Sequence, residues 1–532
     1  MKIFLGYLIL FLFSVLILTL SIRGVPGNPA ENTLADPRWG EEGPLELSPE
    51  RGRFALLMSI VEKGSFNFSL PLARFVTPDL GFKDGKYVSL FTPGLSVISI
   101  PGYLIGKYFR VSQLGTYAVV GFFSIANALL ISFIAVKLKT GILPAVLSSL
   151  VFLFATPAFP YAVSYYQHHL SAFLILMSVY LLLSHKGVLP LFFIFLLFGL
   201  AIAVDLPNAF LMLPIILYSL RRVIFLQKTG GRTLLNIKIH GLFSSVAFIL
   251  PVFLLLLFNY HSYGNYWTLS GTVSSVKAID EKGNPASPES AKNEDSIKLS
   301  DPDRQEKSAF NFFQSRNMPK GFNVLLFSAD RGLIVYSPVM LFALYGIWQL
   351  YKQNSSFLSP LISVIGITFL LYSMWGDPWG GWAFGSRYLI PAFALLSVFI
   401  ALTLQSIKRQ SLFLLLFLMI TAYSLAVNTL GALTSNRNPP LPEILSLEKQ
   451  TGKQEKYTFE RNWDMIQTGL SKSFVYQTYL KGVISAYDYY RLITSVLIIF
   501  YAGLLFLYRL QNFRESAGFR KLYPGGKNRN LL

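Results

Sequence analysis

The chain has 532 residues, 53% of them hydrophobic and only 14% charged, with a net charge of +19 and no cysteine. A soluble domain carries about a quarter charged residues, so this composition excludes an ordinary soluble enzyme. The missing cysteine excludes disulfides, thiolate nucleophiles and cysteine-ligated metals.

A membrane span needs about 20 apolar residues, and runs of that kind recur from Ile3 to Tyr508. In chain order the expected spans are 3–22, 115–136, 141–160, 169–184, 188–204, 207–220, 240–260, 333–351, 357–375, 388–404, 410–430 and 491–508. The fold class is therefore an all-α polytopic membrane protein of about 12 transmembrane helices, with 1–532 forming a single integral-membrane unit. The first run, Ile3–Leu20 behind Met1-Lys2, is longer than the apolar core of a signal peptide and reads as a span. With Lys2 inside, the short basic turns fall on one face: Lys137 and Lys139, Lys186, Arg221 to Lys238, Lys352, Lys408 with Arg409, and the tail from Arg509 to Arg529. The positive-inside rule then makes both termini cytoplasmic, and it accounts for the cationic excess without nucleic acid. The lack of cysteine and of a cleaved signal fits a prokaryotic inner membrane. The run 91–109 contains Pro93, Gly94, Pro101 and Gly102. It is read as a surface or half-inserted helix, since counting it as a span would move Lys137, Lys139, Lys186 and the Arg221–Lys238 cluster to the outside.

This topology leaves polar loops on the external face: 23–114, a short one at Tyr161–His169, 261–332, the turn Trp375–Arg387, and 431–490. Within the third, Lys277–Lys307 is rich in Asp, Glu, Lys, Ser and Pro and is expected to form a disordered stretch or mobile lid. In the first, Ser48-Pro49-Glu50 carries helix-start signals. Phe54, Leu57, Met58 and Val61 then repeat at helical spacing, which predicts an amphipathic helix lying on the membrane surface. Glu50 is either a helix-start carboxylate or a catalytic base, and Asp36, Glu41, Glu42 and Glu46 are either further candidates or solvated loop acids.

Three motifs are similar to those of the GT-C superfamily of membrane glycosyltransferases, in the family 39 branch of protein O-mannosyltransferases and aminoarabinose transferases. The first runs from Pro49-Glu50-Arg51 through Glu62-Lys63-Gly64 to Asp84-Gly85-Lys86-Tyr87 and Thr92-Pro93-Gly94. The second is Asp330-Arg331-Gly332, and the third is Trp375-Gly-Asp377-Pro-Trp379-Gly-Gly-Trp382 with Gly385-Ser-Arg387-Tyr388. The resemblance implies a GT-C-like bundle that moves a sugar from a polyprenyl-phosphate donor to a lipid, glycan or protein acceptor on the external or periplasmic face, with inversion. The family's acidic pair is replaced here by Pro49-Glu50, so the implied base is Glu50 or Asp36. The second external loop of relatives often carries an acid where this chain has Gln167-His168-His169, which leaves a divalent metal as an open question.

Such a reaction needs a carboxylate to deprotonate the acceptor and cations where charge develops on the leaving phosphate. Lys86, Arg387 and Arg331 are the candidate phosphate ligands. Tyr87, His168, His169, Asp377 and Trp379 are candidate lining residues. Trp375, Trp379 and Trp382 equally suit an interfacial aromatic belt, and His168 and His169 equally suit a span end. Asp205, beside Pro207, is expected at the outer boundary; a buried position would make it a functional candidate. Two other classes remain: a lipid or glycan flippase, which predicts mid-span charge and repeat symmetry not seen here, and a scaffold or polymer ligase of similar topology.

Overall fold

The computed structural model describes residues 2–36, 39, 43–185, 187–229, 232–286, 313–407 and 410–522. Every expected span is helical. Six helices are long and apolar enough to cross a membrane: Ile3–Ser21, Ser112–Lys137, Ile239–Tyr263, Arg387–Ser406, Ser411–Leu433 and Ala486–Phe513. Shorter apolar helices occupy Ile142–Phe154, His168–Ser184, Val188–Val204, Asn208–Leu220 and Leu358–Ser373. The region expected as a span at 333–351 is broken into Leu333–Tyr336, a 3-10 turn Pro338–Phe342 and Ala343–Lys352, because Pro338 cannot continue the hydrogen-bond ladder of the preceding turn.

The helix Ile390–Ser406 is the axis of the bundle. Fifteen of its residues, Ile390 to Leu404, are buried without interruption, the pattern of a helix enclosed on all sides. Around it pack Ser112–Lys137, Ile142–Phe154, His168–Ser184 and Ala343–Lys352. The first and last helices adjoin: Phe13 stacks on Phe500, and Tyr508 donates to the Leu404 carbonyl at 2.9 Å.

The run 91–109 forms two short helices, Gly94–Ile98 and Ile100–Tyr108, far below spanning length. Ile100–Tyr108 is seated on Ser112–Lys137 through glycines. A Cβ on Gly102 would lie 2.5 Å from the Gly115 carbonyl oxygen, and one on Gly106 would lie 2.9 Å from Gly115 Cα. Its other side exposes Leu104, Ile105, Tyr108 and Phe109.

Three expectations need correction. The Ser48–Lys63 helix is not a surface helix, since Gly52 to Ser59 are all buried beneath the first loop. Its apolar stripe faces the Leu70–Val76 helix and β1, not lipid. The loops also contain strands: β1 (Asn67–Phe68), β2 (Leu80–Lys83), β3 (Lys86–Ser89), β4 (Ile224–Thr229), β5 (Arg232–Ile237) and β6 (Ser275–Val276). They form an antiparallel sheet in the order β1-β3-β2-β6 and a separate β4-β5 hairpin. Finally, part of the stretch expected to be disordered is built in: Tyr87 donates to the Gly283 carbonyl at 2.9 Å, and Ile279 bridges Pro285. The remainder of that stretch lies outside the described residues.

Glu46, open in sequence between a further candidate base and a solvated loop acid, is buried at 2% exposure and paired. One oxygen meets Arg23 at 2.9 Å and the other meets Lys472 at 2.7 Å, and the Asn436 N–H donates to it at 2.9 Å. Arg23 itself reaches the Gly431 and Ala432 carbonyls and the Asn436 side chain. Two stretches near the start of the chain and two some 400 residues later are joined at one carboxylate. Burial raises the Glu46 pKa, but Lys472 and Arg23 outweigh it and hold the group down at about 2. Removing one member of a buried ion cluster strands the others. Glu46→Gln is therefore expected to cost about 3 kcal/mol or more, read as a lowered melting temperature in detergent at pH 7. Since the folded pKa is depressed, this contribution is present above the ordinary value of 4.5 and lost as pH falls towards 2. The difference between wild type and variant should shrink across that window.

Candidate functional site: a buried arginine pair at one end of the bundle

The turn between Leu358–Ser373 and Ile390–Ser406 is held open by its own backbone. Gly380 and Gly381 adopt φ of +72° and +63°, the left-handed region that disfavours residues with a Cβ. Asp377 closes the turn by accepting from Gly381 N–H at 2.6 Å. Arg331 braces it from behind. Its guanidinium is fully buried and donates to the carbonyls of Trp379 (2.9 Å), Gly381 (2.9 Å), Asn438 (3.0 Å) and Asp330 (2.7 Å). With four of its five N–H donors committed to backbone, Arg331 is a structural brace rather than a phosphate ligand.

The turn delivers Arg387. One nitrogen, Nη2, donates to the Gly380 carbonyl at 2.5 Å. Nε and Nη1 are buried with no hydrogen-bond partner among the described residues. The guanidinium carbon sits 5.2 Å from the centre of the Tyr166 ring and 5.7 Å from that of Tyr388. Tyr388 in turn stacks on Tyr372 at 4.3 Å. Aromatic faces stabilise the cation but leave its in-plane donors unsatisfied.

Facing it is the first turn and a half of Ser48–Lys63. Arg53 is 4% exposed, donates from Nη1 to the Pro49 carbonyl at 2.8 Å, and lies 4.4 Å over the Phe91 ring. Its Nε is also buried and unpartnered. Two glycine contacts set this position. Gly52 lets Phe91 lie flat on the helix, where a Cβ would be 2.7 Å from the ring. Gly94 lets the Thr92-Pro93-Gly94 turn press on the end of Val188–Val204, with a Cβ position 2.5 Å from the Ala203 carbonyl oxygen. That contact brings up Asp205, the residue after the helix, and Thr92 fixes it by donating to the Val204 carbonyl at 2.8 Å.

Asp205 is half-buried and accepts from Gln167 Nε2 at 3.0 Å. Its charge interacts with those of Arg53 and Arg387. Burial pushes its carboxyl pKa up, against Gln167 and the two arginines. His168 completes the enclosure. It stacks on Tyr166 with 6.0 Å between ring centres and meets Tyr161 and Tyr388 edge-on. Its Nε2 is buried and unpartnered.

The other expected residues lie as follows. Glu50 is fully buried and accepts three backbone N–H groups, from Glu46 (3.1 Å), Leu47 (3.3 Å) and Tyr165 (3.2 Å). It caps its own helix and ties that helix to the Tyr161–His169 loop. Asp36 lies half-buried in the turn after Glu31–Leu34, and Glu41 and Glu42 lie outside the described residues. Lys86 is exposed at the β2–β3 hairpin, paired across the ladder with Lys83, and Tyr87 beside it points its hydroxyl at Gly283. His169 is a structural residue: its Nε2 lies 2.8 Å from the Ala158 carbonyl, and its own carbonyl accepts from Asn127. Trp379 shares the turn with Asp377, and its indole N–H is buried and unpartnered. Trp375 packs among Phe313, Tyr372 and Tyr388, and Trp382 donates to Glu443 at 2.5 Å. Among the described residues no group of three His, Asp or Glu side chains is placed to hold a metal.

Arg53 was missed from sequence. Its signal was present: an arginine three residues after Glu50, next to the apolar stripe at Phe54, Leu57 and Met58, has no water-facing position once the helix is buried. Tyr166 was missed as well, and only its neighbours in the loop drew notice.

The assembled site gathers two guanidinium groups, an imidazole, a carboxamide and a carboxylate at one end of the bundle. Its unsatisfied atoms are predominantly donors, the inventory that suits a bound anion with phosphate-like geometry.

No family model matches the chain, and no curated protein matches it. Among solved structures it is similar to ArnT from Cupriavidus metallidurans, both in the apo state and bound to undecaprenyl phosphate. Each has 13% identity over 95% of this chain and 76% of that one, with a TM-score of 0.45. It is also similar to the archaeal oligosaccharyltransferase AglB from Archaeoglobus fulgidus in complex with an inhibitory peptide and a dolichol-phosphate. There the identity is 12%, over 92% of this chain and 56% of that one, with a TM-score of 0.38. Likeness at this level decides nothing about substrate or reaction.

Burial and the adjacent Glu46 carboxylate push Glu50 up to about 7, against Arg23 and the backbone donors. A raised folded pKa means the unfolded chain binds fewer protons between 4.5 and 7. Stability should therefore be highest below about pH 4.5 on account of this group and fall, by an amount on the order of a few kcal/mol, as pH rises to about 7. Melting curves of Glu50→Gln should show this component of the pH dependence flattened.

Proposed function

We propose that the chain is a membrane glycosyltransferase of GT-C type that uses a polyprenyl-phosphate-linked sugar, with transfer on the external face. The observation that carries the reading is the pair Arg387 and Arg53, buried with unpartnered nitrogens beside Asp205 and His168 at an end of an apolar bundle. A buried cation without hydrogen-bond partners is costly, and an anionic ligand relieves that cost. A phosphate whose sugar faces the polar loops and whose polyprenyl tail lies along apolar helices fits both halves of the molecule. The motif resemblance points the same way.

In this reading Arg387 and Arg53 hold the donor phosphate. Asp205 accepts the proton of the acceptor hydroxyl as its oxygen attacks the anomeric carbon. The bond from that carbon to the phosphate oxygen breaks, and the electron pair leaves with the lipid phosphate. The arginines stabilise charge where it develops. Glu50 is a positioning residue that fixes the start of the helix bearing Arg53. A second reading makes Glu50 the base, favoured by its raised pKa near 7, which suits general-base work at neutral pH. The sugar and the acceptor stay unassigned.

The test is transfer of radiolabel from a panel of polyprenyl-phosphate sugars by purified protein in lipid. Arg387→Ala should lower the rate by about 10²–10³ and weaken donor binding. Asp205→Asn should abolish transfer with donor binding retained. If Asp205→Asn transfers normally and Glu50→Gln does not, Glu50 is the base. Failure of the wild type to bind any polyprenyl-phosphate sugar would overturn the proposal.

A further inference from the structure

The β4–β5 hairpin lies at the opposite end of the bundle from the arginine pair. Two helices establish this. His168–Ser184 starts at the site and ends beside Arg222, which donates to the Leu182 and His185 carbonyls at 2.7 and 3.1 Å. Val188–Val204 starts below the hairpin and ends at Asp205. Seventeen residues at 1.5 Å each separate the two ends by about 25 Å, close to the apolar thickness of a bilayer.

Between the hairpin and the start of Val188–Val204 lies an open cavity of about 670 Å³. Arg221, Arg222, Lys238 and His240 line it together with Leu191 and Phe225. Lys238 lies 5.3 Å over the Phe225 ring. Among the described residues no acidic side chain lines the cavity. Exposed apolar side chains frame it: Val188 (46% exposed) and Ile239 (56%) are in its lining, and Leu189 (65%) and Phe243 (69%) follow on the same two helices. A cationic pocket framed by exposed apolar side chains, at the depth where the bundle leaves the bilayer, has the chemistry of a membrane–water boundary.

We propose that this cavity binds the head group of an anionic phospholipid in the leaflet opposite the candidate active site, with the acyl chains against the starts of Val188–Val204 and Ile239–Phe243. Charge complementarity selects the lipid class: Arg221 and Lys238 meet the phosphate, and exposed Val188, Leu189, Ile239 and Phe243 meet the chains. The inference rests on the membrane-spanning architecture and is independent of the reaction proposed above.

The test uses full-length protein in phosphatidylcholine nanodiscs titrated with phosphatidylglycerol, with bound lipid counted by native mass spectrometry. Wild type should retain phosphatidylglycerol over phosphatidylcholine. Arg221→Ala/Lys238→Ala should lose about thirty-fold of that preference, the effect expected for two cations near an anionic surface, with an unchanged melting temperature in phosphatidylcholine alone. Lys137→Ala/Lys139→Ala removes the same charge from another turn on the same face and should leave the preference intact. Equal losses in the two double variants would overturn the proposal in favour of diffuse surface attraction. So would retention of the preference in the Arg221/Lys238 variant, or full competition by inorganic phosphate at the same concentration.

Discussion

The structure depends on one buried polar network threaded through an apolar bundle. It begins at the Glu46 carboxylate, which holds Arg23, Lys472 and the Asn436 backbone. From Glu46 it runs one way through its own N–H to Glu50, and so to the helix that carries Arg53. The other way it passes along the chain from Asn436 to the Asn438 carbonyl, which accepts from Arg331, the brace of the turn that presents Arg387. The two walls of the candidate site are therefore set by the same group of charges. In a low-dielectric interior a network of this kind is strong when complete and costly when one member is missing, which makes the spacing of the walls a property of the whole cluster.

That arrangement explains why the arginines can be left unsatisfied. Arg331, Arg23 and Arg387 come from different loops, yet their situations are opposite. The first two have backbone and carboxylate partners for their donors. Arg387 and Arg53 face aromatic rings, which soften the cost of burying a cation without filling its hydrogen-bonding directions. Strain of this sort persists only where the surroundings over-determine the geometry, and here the Glu46 network and the Arg331 brace do so.

The helices were legible because lipid leaves the backbone few choices: an apolar run such as 411–433 or 112–137 has no alternative to a helix. The break of 91–109 into two short helices was legible because Pro93, Gly94, Pro101 and Gly102 interrupt it. The misreadings share a cause. The stripe at Phe54, Leu57 and Met58 looks the same whether it faces lipid or protein, and only the later loops, far along the chain, decide. Glu46 reads as a loop acid until Arg23 and Lys472 are brought to it from more than 20 and 400 positions away. Arg331 and Arg387 carry equal weight as motif residues, and which one is a brace follows from carbonyl positions that no local pattern encodes. Arg387 and His168 were singled out in the Trp-Gly-Gly turn and in the Tyr161–His169 loop, and the structure brings both against Tyr166 and Tyr388.

The glycine seam between Ile100–Tyr108 and Ser112–Lys137 gives the molecule a stiff edge. Contact there is largely backbone against backbone, with the Val119 side chain beside Gly102, so few side-chain rotamers are available to absorb a displacement. The segment is either seated or dislodged, with little between. Through Gly94 and Ser96 the same segment abuts Asp205's helix and the Arg53 carbonyl. The rim beside the arginines therefore behaves as a rigid template whose outline is fixed before any ligand arrives, and a ligand reaching the site must conform to that outline instead of reshaping it.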